Sequence, residues 1–191
     1  MMRAETSVRI NDLFAERRSP RSFDESAEIS KDDLLAMLEA ARWAPSGSNI
    51  QPWRFVIGQR GDEVFNKVLQ SLAPFNQGWA FRASTLILVV AQNQRPDGTP
   101  YMGFQYDCGL SVAQLTLEAH DRGYVAHQMG GFDKAVTAHV FELTENLSPV
   151  IVIAIGKQGS IEQLDAAMIA RESAPRVRKE LSELVLQGLP D

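Results

Sequence analysis

Hydrophobic and polar positions alternate along this chain in several distinct rhythms. Val8, Ile10, Leu13 and Phe14 recur at near-helical spacing among Asn11, Asp12 and Glu16, which predicts a short amphipathic helix. Pro20 stops any regular helix beyond it. Leu34, Leu35, Met37, Leu38 and Ala41 form the stripe of a second helix, capped by Ser30 and ending near Trp43. Residues 53–57 read as a strand closed by Gly58, and residues 62–72 as a helix. The run Pro74-Phe75-Asn76-Gln77-Gly78 breaks that helical pattern. Residues 86–90 are continuously apolar, as expected of a central strand buried on both faces. A turn-rich loop follows at 93–100.

The longest helical pattern covers residues 102–122. Phe104, Cys108, Leu115 and Ala119 lie on one side, and Leu110, Ala113 and Leu117 widen the apolar arc. So broad an arc predicts a core helix that also serves a subunit interface. Gly109 within it permits close approach of another helix. Gly123 caps this helix, residues 124–129 read as a strand, and Asp133 caps a helix over 135–141. A second buried strand covers 149–155.

Composition narrows the class. The 191 residues are 45% hydrophobic and 23% charged, enough for one domain over 1–191 with a full core. A net charge of −5 with interspersed signs argues against a general nucleic-acid binder. The apolar runs are too short to cross a bilayer, so no membrane partner is expected. The start lacks the apolar core of a signal peptide, and Cys108 is the only cysteine, so a cytoplasmic location is expected.

Four polar clusters carry the candidate chemistry. The first is the stretch 44–53, Ala-Pro-Ser-Gly-Ser-Asn-Ile-Gln-Pro-Trp, held at both ends by Pro45 and Pro52. Such a loop can aim hydroxyls and amides at a planar polar ligand, and it equally suits an ordinary helix-to-strand connector. The second crowds Arg17, Arg18 and Arg21 beside Ser19 and Ser22. Guanidinium forks and hydroxyls match a phosphate, and a solvated basic turn remains the alternative. The third is Gly130-Gly131, where a bare backbone can approach a ligand closely or simply turn the chain. The fourth is Arg176-Val177-Arg178, whose two arginines share a face if the tail is extended. There is no dinucleotide glycine fingerprint, phosphate-loop lysine, nucleophile elbow or metal-ligand spacing around His120, His127 and His139.

Taken in order, these segments resemble the FMN-dependent nitroreductase family from about Leu13 to Arg178. The carriers are Arg17-Arg18-Ser19-Pro20-Arg21 with Phe23-Asp24, then Ala44-Pro45-Ser46-x-x-Asn49-x-Gln51-Pro52-Trp53. Phe75-Asn76 before Ala83-Ser84, Gly123-x-x-Ala126-x-x-x-Gly130-Gly131-Phe132-Asp133, and Arg176-x-Arg178 complete the set. The resemblance implies an α+β fold of three layers, α-β-α, with a mixed central sheet, in an intertwined homodimer. It implies FMN at the subunit interface, NAD(P)H as electron donor and a small organic acceptor. Arg17, Ser19, Arg21, Arg176 and Arg178 would hold the phosphate and ribityl chain, with Arg18 alongside. Pro45, Ser46, Asn49 and Asn76 would meet the flavin ring. Gln128, Met129, Gly130 and Gly131 would line one face, the two glycine amides lying near the hydride-accepting nitrogen. No side chain is expected to be catalytic, because FMN supplies the redox chemistry.

Two departures from the family pattern matter. Gly130 stands where many relatives carry glutamate, and only residues 92–101 fill the place of a long helical excursion. The shorter segment implies a more open flavin face. The leading expectation is an NAD(P)H-dependent reductase of nitroaromatic, quinone or enone acceptors with ping-pong kinetics. The alternatives are a relative that consumes flavin or removes halogen reductively, and a flavin-binding module without turnover.

Overall fold

The computed structural model describes residues 3–190. Helix α1 (Asp12–Glu16) starts at Asn11, whose side chain accepts from the Leu13 amide. It is shorter than the apolar spacing predicts, because Val8 and Ile10 precede it and remain exposed. Helix α2 (Lys31–Arg42) is capped by Ser30, which accepts from the Asp33 amide, and it ends at Trp43. One 3-10 turn at Gly47–Asn49 leads into β1 (Trp53–Gln59). Helix α3 (Glu63–Ser71) is capped by Asp62. Pro74, expected only to break a helix, instead opens a new one, α4 (Pro74–Ala80). The missing proline amide costs nothing in the first turn, and its fixed φ suits that position.

Strand β2 (Thr85–Gln92) is followed by α5 (Phe104–Asp121), β3 (Val125–Met129), α6 (Lys134–Val140) and β4 (Leu147–Gly156). Helices α7 (Ala166–Ser173) and α8 (Leu181–Leu184) complete the described chain. The strands lie in the order β1-β2-β4-β3. The mixed sheet expected from the family resemblance is not what this chain forms, since all three pairings are antiparallel. The chain leaves β1 and re-enters β2 at one end, Gln59 opposite Thr85, so the two must run in opposite senses. The β2–β4 register shifts between Val89 and Val90, beside Pro149. Proline cannot donate to the ladder, and a bulge accommodates that.

The buried run of β2 divides between two cores by strict alternation. Ile87, Val89 and Ala91 face α2 and α5, together with Met37, Cys108 and Leu115. Leu86, Leu88 and Val90 face α3 and α4, together with Phe65, Val68 and Trp79. Helices therefore cover both sheet faces, giving the expected three layers. A β-carbon on Gly58 would lie 2.2 Å from the Phe65 amide nitrogen, so glycine is what lets α3 lie against β1.

Candidate functional site

Five arginines gather where the segment after α1 meets the segment after α7. Arg176 donates to the carbonyls of Ala15 at 2.6 Å and Arg17 at 2.8 Å. Arg18 donates to the Glu172 carbonyl at 2.7 Å. The Glu172 carboxylate, nearly buried, accepts from the Arg21 amide and from its guanidinium at 3.1 Å. Arg17 donates to the Ser19 hydroxyl at 3.1 Å. Arg178 is exposed and donates to the neighbouring Val177 carbonyl. Burial and the nearby charge of Arg178 lower the Arg17 pKa. Burial and the charges of Arg17, Arg18 and Arg178 do the same at Arg176.

This cluster has a division of labour. Arg18, Arg21 and Arg176 spend hydrogen bonds on holding the two segments together. Arg17 and Arg178 have no carboxylate partner among the described residues. The buried Nε of Arg21 also lacks a partner. Arg17 and Arg178, with no carboxylate beside them among the described residues, make the site electropositive, and guanidinium forks of this kind fit a phosphate.

The cluster continues onto α4. Arg21 and Arg171 lie over the Phe75 ring, 5.8 and 5.3 Å from its centroid. The next residue, Asn76, donates through its side-chain amide to the Gly131 carbonyl at 3.0 Å. The Ala73 amide donates to the same carbonyl at 2.9 Å. Gly130 and Gly131 are exposed, and a depression of about 600 Å³ opens beside them, bounded by residues 70–74 and by Val136. Added bulk at Gly131 would meet the Asn76 amide at 2.9 Å.

Residues Gln128 and Met129 do not join that turn through their side chains. Strand alternation sends them to opposite faces of the sheet. Gln128 donates to the Thr116 hydroxyl of α5 at 2.5 Å, and Met129 is buried in the core beneath α3 and α4. His127 sits near the arginine segment, with Nδ1 3.0 Å from the Pro20 carbonyl and its ring 4.6 Å from that of Trp79. Burial pushes its pKa down to about 4, so it is neutral at pH 7. Burial pushes the Cys108 thiol up to about 12, which leaves it an inert core residue.

The polar loop forms a separate group. Ser48, Asn49 and Gln51 take positive φ of 51°, 56° and 50°. Such conformations cost non-glycine residues roughly 1 kcal/mol each, so the surroundings must hold them. The Ser46 hydroxyl oxygen accepts from the Gln51 amide at 3.0 Å, and the Gln51 side chain donates to the Asn49 backbone and side-chain oxygens. Pro45 and Asn49 are exposed. The Gly47 amide donates to the buried Asp107 carboxylate at 3.2 Å. No hydrogen bond or ion pair among the described residues joins this loop to the arginine cluster.

Sequence reasoning missed Glu172, Asp107 and Tyr101. Glu172 looks like any acid on a short amphipathic helix. Asp107 did carry a signal, since position 107 shares the buried side of α5 with Cys108 and Ser111. Among the described residues no group of three or more His, Cys, Asp or Glu could hold a metal ion. No helix among them is long and apolar enough to cross a membrane.

The arrangement is a four-stranded antiparallel sheet between two helical layers, with an arginine cluster where the segments after α1 and α7 meet. The Nitroreductase family profile matches residues 14–75 and 58–157, and the chain belongs to that family. A solved structure described as an oxidoreductase containing FMN superposes with a TM-score of 0.91. It is 33% identical, over 97% of this chain and 95% of its own. YdgI of Bacillus subtilis (strain 168), provisionally named an NAD(P)H nitroreductase, is 31% identical over 180 residues, covering 74% of this chain and 84% of its own. A CLA biosynthesis enone reductase of Lactiplantibacillus plantarum is 28% identical, covering 76% of this chain and 84% of its own.

Proposed function

We propose that the protein is an FMN-dependent reductase that passes reducing equivalents from NAD(P)H to a small organic acceptor. Nitroaromatics, quinones and enones are the acceptor classes. The observation that carries this reading is the pair Arg17 and Arg178, close enough to repel each other and without a carboxylate partner among the described residues, in a chain of the nitroreductase family. Bound FMN would supply the redox chemistry, taking hydride from the nicotinamide and releasing electrons to the acceptor. Arg17 and Arg178 would neutralise the phosphate, while Arg18, Arg21 and Arg176 hold the segments that present them. Asn76 would fix Gly131 so that the turn offers backbone rather than bulk to the flavin. Gln128 and Met129 would contribute backbone only.

Ser46, Asn49 and the rest of the polar loop would reach a flavin held on a second copy of this chain. Exposed apolar groups support such a dimer: Met102 and Tyr106 by the start of α5, Phe14 on α1, and Leu184 and Leu186 near the described end. Gly109 and Ala113 also leave a flat exposed strip on α5. The short 93–100 loop would leave the flavin face open to flat acceptors. Donor and acceptor would share that face in turn, giving ping-pong kinetics. His127, neutral and turned to Pro20, would not serve as a proton donor.

The test is anaerobic titration of the purified protein, followed by a grid of donor and acceptor concentrations. The proposal expects a yellow protein that releases FMN, bleaches with NAD(P)H and regains colour with acceptor, with parallel double-reciprocal lines. FMN that NAD(P)H cannot bleach would refute the reductase in favour of a binding module. Intersecting lines would refute the shared face.

A further inference from the structure

Three residues of the polar loop are held at positive φ, and the loop's internal hydrogen bonds do not fix its height above α5. Two side chains bear on the loop at Gly47, while Arg54 of β1 donates to the Gln51 carbonyl at its far end. Asp107, 3% exposed in the first turn of α5, accepts from the Gly47 amide at 3.2 Å and from the Tyr101 hydroxyl at 2.5 Å. Tyr101, 6% exposed, ends the short connector that follows β2. Its hydroxyl sits in a niche walled by two glycines. A β-carbon on Gly47 would lie 2.7 Å from that oxygen, and one on Gly103 would lie 2.9 Å from it. Tyr101 therefore acts as a spacer and Asp107 as a tether on the same point of the loop. The hydrogen bond to Asp107 raises the Tyr101 pKa, so the hydroxyl keeps the proton that it donates.

We infer that Tyr101 and Asp107 are positioning residues, setting the polar loop at the height from which Ser46 and Asn49 contact the flavin ring. The inference rests on the FMN reading proposed above. It assigns a role to the shortened connector: besides leaving the flavin face open, it supplies the spacer under the loop. The spacer and the glycine are matched, so their substitutions should not act independently.

The experiment compares FMN-loaded wild type with Gly47→Ala, Tyr101→Phe, Asp107→Asn and the Gly47→Ala/Tyr101→Phe double variant. FMN affinity and the visible circular dichroism of the bound flavin are read, with thermal melting as the control for folding. Gly47→Ala should weaken FMN about tenfold and alter the dichroism, because the new methyl must displace the tyrosine hydroxyl or the loop. Asp107→Asn should also weaken FMN about tenfold, since a neutral amide oxygen accepts the same two donors in weaker bonds than the charged carboxylate oxygen does. Tyr101→Phe alone should have a smaller effect. The double variant should bind FMN better than Gly47→Ala, because the nearest remaining atom is the ring carbon Cζ at 3.7 Å, an ordinary contact.

Wild-type affinity and dichroism in Gly47→Ala would overturn the inference. A double variant as weak as the product of the two single effects would do the same. If Gly47→Ala fails to fold, unchanged affinity and dichroism in both Tyr101→Phe and Asp107→Asn are the overturning result. Wild-type protein with no affinity for FMN would overturn the flavin reading itself, an outcome distinct from affinity carried unchanged through the variants.

Discussion

Replacing Arg178 with alanine removes a guanidinium whose one described hydrogen bond runs to the adjacent Val177 carbonyl at 2.8 Å. Exposed substitutions of that kind change stability by about 0.5 kcal/mol or less. If the same group meets a phosphate oxygen in the FMN complex, a charge-assisted hydrogen bond of about 1.5–3 kcal/mol is lost. At about 1.4 kcal/mol per tenfold, FMN affinity should fall roughly ten- to a hundredfold. Arg176 provides the contrast. It is half-buried and ties the tail to the carbonyls of Ala15 and Arg17. Arg176→Ala should therefore destabilise the fold itself, by about 2–4 kcal/mol when two such bonds are lost and partly replaced by water. The assay measures FMN binding by quenching of flavin fluorescence, and unfolding of FMN-free protein in urea. FMN is omitted from the second because a ligand stabilises the native state by mass action. Equal FMN affinity in wild type and Arg178→Ala would refute the argument. So would a loss of stability in Arg178→Ala as large as that in Arg176→Ala.

His127 predicts a stability loss on mild acidification. Its folded pKa of about 4 lies below the ordinary 6.5, so its share of stability is complete above about 6.5 and is lost as pH falls towards 4, amounting to about 3 kcal/mol. Urea midpoints from pH 7 to 4 should fall in wild type and flatten in His127→Gln; parallel curves would reject the assignment. Asp33, held at about 2 by hydrogen bonds from Arg122, Ser30 and Tyr124, acts in a separate window, below 3.8. Gly58→Ala should cost about 3 kcal/mol or more, because the methyl would meet the α3 backbone rather than a movable side chain, and an unchanged denaturation midpoint would contradict that packing. Light scattering should find a dimer that loses FMN as it dissociates on dilution; a monomer that keeps FMN tightly would refute the two-chain site.

What was legible in the sequence was local. The apolar run of β2, the Ser30 and Asp133 caps and the glycine after α5 each depend on neighbours a few residues away. The arginine segments were legible as chemistry, but their roles were not. Glu172 binds Arg21 across 151 residues, and no local pattern marks an acid that will be buried among arginines. Gln128 and Met129 looked alike in the strand, yet alternation places one against Thr116 and the other in the opposite core. Pro74 reads as an interruption because proline breaks helices from within, whereas the structure uses it to begin one. Val8 and Ile10 were apolar at helical spacing and still found no core in this chain.

The bond from Arg176 to the Ala15 carbonyl spans 161 residues. During synthesis the N-terminal half of the arginine cluster must therefore wait for the other half, which follows the last described strand, ending at Gly156. Chain elongation fixes an order of events in which the strands precede the second half of the arginine cluster. A nascent chain stalled after β4 would leave Arg17 and Arg21 unanchored, because Glu172 would not yet exist to restrain them. If the cluster holds the FMN phosphate as proposed, cofactor loading falls to the finished polypeptide. On the FMN reading proposed above, flavin scarcity would accumulate a folded, colourless form rather than an unfolded one.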